Sequence, residues 1–219
     1  MNFLTSSIGK KIQIAISGIF LAIFLLFHLA NNMMLFGGPE KFNNMVHFLE
    51  SIKPIIRIME AGLLVIIVIH TFNAIQLTWS NNKTKPIHYQ NNDGSKISSL
   101  NARTMAISGT IILLFFIIHL GCIWLTYQTQ SFSESETYYD VLLRNQIGYL
   151  NHRITAIFYI IAIFLIGYHL KHGFQSALKT LGFTRHKNSI LYKTSFIFWG
   201  LIPAGFIMII LSIQAGIIK

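Results

Sequence analysis

The sequence predicts an all-α integral membrane protein with five transmembrane helices, and three observations carry that reading. Of its 219 residues 53% are hydrophobic and only 11% are charged, where a soluble domain carries about 25% charged residues. Mean hydropathy is +0.56. The apolar residues gather into five runs near twenty residues each, about the length a helix needs to cross a ~30 Å hydrocarbon slab. These runs are continuous rather than alternating, which selects helices over the strands of a barrel. A disordered chain and an ordinary soluble domain are both excluded.

The expected helices cover 12–36, 55–79, 103–127, 148–174 and 194–217 of one domain, 1–219. The first run is too long for a signal-peptide core and lacks a small-residue cleavage site, so it reads as a retained first span; Gly37-Gly38-Pro39 ends it. Lys53-Pro54 opens the second helix, and Asn91-Asn92-Asp93-Gly94-Ser95 lies in the polar connection before the third. The fourth helix continues past the membrane as an amphipathic extension, Lys171 to Gly182. A single cysteine, Cys122, excludes an internal disulfide or a thiolate-bound cluster held by this chain alone.

The net charge is +10. Basic groups at the ends of apolar spans are the mark of membrane topology and not of a nucleic-acid face, so no nucleic-acid partner is expected. One side holds eleven basic residues (Lys10, Lys11, Lys83, Lys85, Lys96, Arg103, Lys171, Lys179, Arg185, Lys187, Lys193) and one acid, Asp93. The other holds six basic residues (Lys41, Lys53, Arg57, Arg144, Arg153, Lys219) and six acids (Glu40, Glu50, Glu60, Glu134, Glu136, Asp140). The first side is therefore expected to be cytoplasmic, with the N-terminus inside and the C-terminus outside.

Nine histidines are present, and four of them, His28, His70, His119 and His169, lie inside the first four apolar runs, one in each. Histidine is costly in hydrocarbon and marks function there. Counted from the start of each apolar run, at 12, 55, 104 and 154, each sits 15 or 16 residues along, about 22–24 Å into the slab. Because successive helices run oppositely, His28 and His119 share a depth near the outer face, and His70 and His169 share one near the inner face. Paired imidazoles at one depth are what bis-histidine haem ligation requires. The expectation is two b haems, with iron held by His28 and His119 outside and by His70 and His169 inside. His172, three residues beyond His169, is the rival ligand on the fourth helix.

An internal repeat accompanies the pairs. Ala15-Ile16-Ser17-Gly18 precedes His28-Leu29 by the same nine residues that separate Ala106-Ile107-Ser108-Gly109 from His119-Leu120. Ser17, Gly18, Ser108 and Gly109 fall at the level of the inner pair and leave room there for a flat cofactor; small-residue helix packing is the plainer account. Arg153 at the outer level, and Lys10, Lys11, Gln13 and Lys179 at the inner, are candidate partners for haem propionates. His47, His88, His152 and His186 read as solvated or interfacial, with His47 in the connection covering the outer pair.

Glu60 is an intramembrane carboxylate one turn after Arg57, either ion-paired to it or exchanging protons beside a redox site. Glu60, His47 and Asn43 are the quinone-site candidates. The basic inner face, with the amphipathic extension, is where a soluble electron donor or acceptor is expected to dock; the competing account is a helix lying among lipid headgroups.

The leading Leu4-Thr5-Ser6-Ser7-Ile8-Gly9-Lys10-Lys11, Phe27-His28-Leu29 with Asn31-Asn32, Gly38-Pro39 with Phe42-Asn43 and His47-Phe48-Leu49, and Tyr168-His169-Leu170-Lys171-His172-Gly173-Phe174-Gln175-Ser176-Ala177 carry a resemblance. Together they resemble the single-chain dihaem cytochrome b subunit of succinate dehydrogenase/fumarate reductase, over nearly the whole chain. The resemblance implies a multi-pass subunit of the bacterial cytoplasmic membrane, bound to a flavoprotein subunit and an iron-sulfur subunit on the cytoplasmic face. Electrons would pass between the iron-sulfur subunit and membrane quinone, and no succinate-oxidising site lies on this chain. It implies the same pairing of histidines that depth gives. One departure is Asn43, which follows Lys41-Phe42 where a branch of the family has an acidic residue. The competing functions are the cytochrome b of a hydrogenase or formate dehydrogenase, and a haem-free transporter or proton channel using the histidines as a relay.

Overall fold

A computed structural model describes residues 5–83, 93–183 and 190–219, with side chains described for 5–80, 104–183 and 190–219. Leu4, Lys85, His88, Arg185, His186 and Lys187, and the side chains of Lys83, Asp93, Lys96 and Arg103, lie outside the described residues.

Helix α1 (Ser7–Asn32) starts earlier than its apolar run because Ser6 caps it, its hydroxyl accepting from the Gly9 N–H at 3.0 Å. A 3-10 turn, Met33–Gly37, leads into α2 (Gly38–Ser51), which has Pro39 in its first turn. The connection expected after the first span is thus itself a helix, held down by the buried Phe42. Helix α3 spans Lys53–Lys83 and α4 spans Asp93–His119. Asp93-Gly94-Ser95, assigned to a connection from sequence, therefore already belongs to α4. A π-turn, Leu120–Trp124, follows His119 directly and passes into α5 (Leu125–Thr129). The outer loop carries α6 (Tyr138–Leu142), started by a capping box between Thr137 and Asp140. Helix α7 (Arg153–Thr180) begins five residues after the expected position, because Gly148 adopts φ +101° and turns the chain before His152 caps the helix. Its inner end runs on as a helix through Lys171 and Lys179. Then come α8 (Ile190–Thr194), a second π-turn at Ile197–Leu201, and α9 (Ile202–Gln214).

Among the described residues, five helical stretches are long and apolar enough to cross a membrane: Ser7–Ser51, Lys53–Ser80, Thr104–Thr129, Arg153–Thr180 and Ile190–Gln214. None of the described residues is in a strand.

Helix α1 packs between α3 and α7, α7 packs in turn on α4, and α9 covers α7 and α1 from behind. The ring order is α3, α1, α7, α4. Its fourth side, between α3 and α4, has little contact among the described residues. Lipid supplies no hydrophobic drive for helix association, so close approach through small residues carries the packing. A Cβ at Gly167 would stand 3.0 Å from the Trp199 carbonyl oxygen, which fixes glycine where α7 meets the second π-turn. Much of the apolar core lies in the outer half, where Leu35, Phe42, Tyr138, Tyr139, Val141 and Leu142 form a cap over the ends of the spanning helices.

Candidate functional site

The four intramembrane histidines meet in two pairs across the diagonals of the bundle. His28 of α1 faces His119 of α4, ring centres 5.8 Å apart and planes at 85°. His70 of α3 faces His169 of α7 at 6.5 Å and 62°. His172 packs instead edge-on against Tyr168, 4.9 Å between centres.

The inner pair has defined hydrogen-bond roles. Ser17 Oγ donates to the Gln13 carbonyl at 2.6 Å, so towards His70 Nδ1, 2.9 Å away, it accepts. Ser108 Oγ donates to the Met105 carbonyl at 3.1 Å and lies 3.2 Å from His169 Nδ1. A hydroxyl has one proton to give. With the hydroxyl proton given to the helix carbonyl, as the 2.6 Å Ser17 contact favours, the imidazole holds its own proton on Nδ1 and keeps the Nε2 lone pair free, the state of a metal-ligating histidine. Gly18 and Gly109 lie beside the same rings: a Cβ would come within 3.4 Å of His70 Cε1 and 3.7 Å of His169 Cε1 respectively.

Aromatic rings surround the outer pair. Phe24 stacks on His28 and Phe115 on His119, at 5.3 and 5.4 Å, while Phe206 and Tyr159 close the other sides. The Asn32 amide donates to the His28 carbonyl at 2.8 Å. His119 Nδ1 is buried with no hydrogen-bond partner among the described residues.

These pairs fit axial haem ligation. A metal–imidazole bond is about 2 Å and the ring centre lies about 1 Å further on, so two rings on one metal have centres about 6 Å apart; 5.8 and 6.5 Å bracket that value. Among the described residues no group of three or more His, Cys, Asp or Glu side chains could hold a bare metal ion. Each pair offers two donors, the number a haem iron takes from protein.

Of the other candidates, Glu60 is held by three groups: Arg57 at 2.9 Å, Trp124 Nε1 at 3.0 Å and Gln128 Nε2 at 3.2 Å. Asn43 Oδ1 accepts from the Tyr139 N–H at 3.0 Å, and His47 lies 3.5 Å from Glu50 with its side chain 65% exposed. The three quinone-site candidates thus divide, Glu60 joining α3 to the π-turn and α5, and Asn43 and His47 joining α2 to α6 through Tyr139 and Tyr138. Tyr138 donates to the same Glu50 at 2.5 Å. Its phenol is pushed up to about 12, by burial first and then by Glu50. Arg153 is the exposed first residue of α7; Lys11 and Lys179 are exposed at the inner end.

Sequence reasoning missed three residues. Asn73, one turn after His70, is buried and donates to Gln13 Oε1 at 2.9 Å; an amide at i+3 from an intramembrane histidine was the available signal. Trp124 and Gln128 had no signal, because the π-turn that aims them is invisible to a 3.6-residue period.

No curated protein and no solved structure matches this chain. Residues 12–102 match the family model of the succinate dehydrogenase/fumarate reductase transmembrane subunit, which supports the resemblance carried by the motifs.

Proposed function

We propose that this chain is the electron-transferring membrane anchor of a succinate:quinone oxidoreductase and holds two b haems. His28 and His119 would ligate the outer iron, and His70 and His169 the inner. The observation that carries the reading is the inner pair, where a serine hydroxyl lies within hydrogen-bond distance of each Nδ1 and the two imidazoles meet across the bundle with ring centres 6.5 Å apart. When bound, haem supplies one-electron carriage. The chain's own residues prepare for it: Ser17 and Ser108 orient their imidazoles and raise their basicity, and Gly18 and Gly109 leave the ring faces uncrowded. Phe24, Phe115, Tyr159 and Phe206 keep water from the outer pair.

Glu60 is the carboxylate placed to orient or protonate a quinone at the outer level. Asn43 and His47 have the weaker claim, since both are committed to the outer cap. On the inner side the helical extension with Lys171 and Lys179 offers a basic docking face to a flavoprotein and an iron-sulfur subunit, with the N-terminus on the cytoplasmic side of the bacterial cytoplasmic membrane.

The decisive experiment is haem content by absorption spectroscopy in an alanine series at the four histidines. Wild type is expected to hold two haems; His28→Ala and His119→Ala remove one signal, and His70→Ala and His169→Ala the other. A wild type without a Soret band would refute haem binding and leave the histidine relay. For the carboxylate, quinone-linked turnover of Glu60→Gln with both haems retained is expected to fall, and unchanged turnover removes Glu60 from that role.

A further inference from the structure

The four-helix ring is sealed on three sides and open on one. Helix α1 lies tight against α3 and α7, and α7 against α4, while α3 and α4 barely meet among the described residues. The outer aqueous end is also shut, because Phe42 of α2 and Tyr139 of α6 stack edge-on at 5.8 Å over the helix ends, in a cap whose members are almost wholly buried. The outer histidine pair therefore has its weakest wall at the α3/α4 seam, facing lipid.

That seam is fastened at its outer end. Glu60 of α3 accepts from Trp124 Nε1 at 3.0 Å and from Gln128 Nε2 at 3.2 Å through one carboxylate oxygen, and Arg57 holds the other at 2.9 Å. Trp124 closes the π-turn that begins just after His119, and Gln128 lies one helical turn further on in α5. An extra residue in the turn rotates everything beyond it by about 100° relative to His119. The clasp and the outer ligand are thus set by the same local distortion of one helix.

We infer that the α3/α4 seam is the lateral route by which the outer haem enters and leaves, and that Glu60 with Trp124 and Gln128 is the clasp that closes it. The inference rests on the haem reading above. Hydrogen bonds to a charged acceptor at a membrane interface are strong, and a clasp made of two of them slows opening on the order of ten-fold per bond.

The test uses the purified, haem-loaded protein in detergent, mixed with excess apomyoglobin as scavenger, with haem transfer followed by the Soret band. Trp124→Phe keeps the ring and deletes one donor; Gln128→Leu keeps the volume and deletes the other. Each is expected to speed loss of the outer haem about ten-fold, leaving inner-haem loss at the wild-type rate. Circular dichroism and gel filtration confirm that each variant is folded. Outer-haem loss at the wild-type rate in both folded variants, or equal acceleration of both haems, overturns the clasp. A wild-type protein that binds no haem would instead refute the proposed function, so the two failures are distinguishable.

Discussion

At the scale of single residues, the inner pair shows how a hydroxyl chooses a tautomer. Ser17 and Ser108 each reach a carbonyl of their own helix, and a hydroxyl that gives its one proton there accepts from the histidine across from it. Removing such an outer partner of a metal ligand typically lowers affinity about 10–100-fold. Ser17→Ala is therefore expected to loosen the inner haem by about that factor while the outer haem stays, read by haem titration of the depleted protein. An inner haem held as tightly as in wild type would show that Ser17 contributes only packing. The serines were visible in the sequence as a repeat at fixed distance from His28 and His119. That they serve the other two histidines is a consequence of antiparallel neighbours, which places the start of one helix beside the end of the next.

At the scale of elements, two features escape a reading of apolar runs. Helix α2 carries Pro39, Asn43, Asn44 and His47 and reads as a connection, yet it is helical because one face, led by Phe42, is buried under the outer loop. The π-turn after His119 leaves hydropathy unchanged and so leaves no trace in sequence. The outer loop itself is clipped by Arg144, whose Nε and Nη2 donate to the two Glu136 oxygens at 2.8 and 2.6 Å while Nη1 donates to Tyr149 at 3.0 Å. That pairing, helped by the Ser133 N–H, holds the Glu136 carboxyl down to about 2 from its ordinary 4.5. A carboxyl whose folded value lies below its unfolded one stabilises above the unfolded value and loses that stabilisation as pH falls towards the folded one. Thermal stability of the wild type should thus drop between pH 4.5 and 2 by more than that of Glu136→Gln. Parallel pH profiles for the two proteins would dissociate the clip from acid stability.

At the scale of the whole molecule, charge asymmetry predicts orientation. In a Cys122→Ala background, a cysteine at Ser135 in the outer loop should react with an impermeant thiol reagent on intact cells. One at Lys179, at the inner end of α7, should react only after the membrane is opened. Both positions are exposed, so protection by folding does not confuse the result, and the reverse pattern would invert the topology. In that orientation the His70/His169 pair would lie towards the side of Lys171 and Lys179, and the His28/His119 pair towards the side of the cap.

The sequence by itself determined the number of helices long and apolar enough to span a membrane and the pairing of the four histidines, because both follow from rise per residue and the thickness of a hydrocarbon slab. It also carried the motifs whose family the match over residues 12–102 bears out. Only the tertiary structure decided which helices are neighbours and which are diagonal, which of His169 and His172 faces His70, and that Glu60 reaches across to Trp124 and Gln128 and not to Asn43 or His47. The reason is physical: depth along a helix is a one-dimensional quantity that residue counting supplies, whereas the direction a side chain takes around the bundle depends on packing between small residues and on a π-turn, and neither changes the hydropathy from which the helices were read.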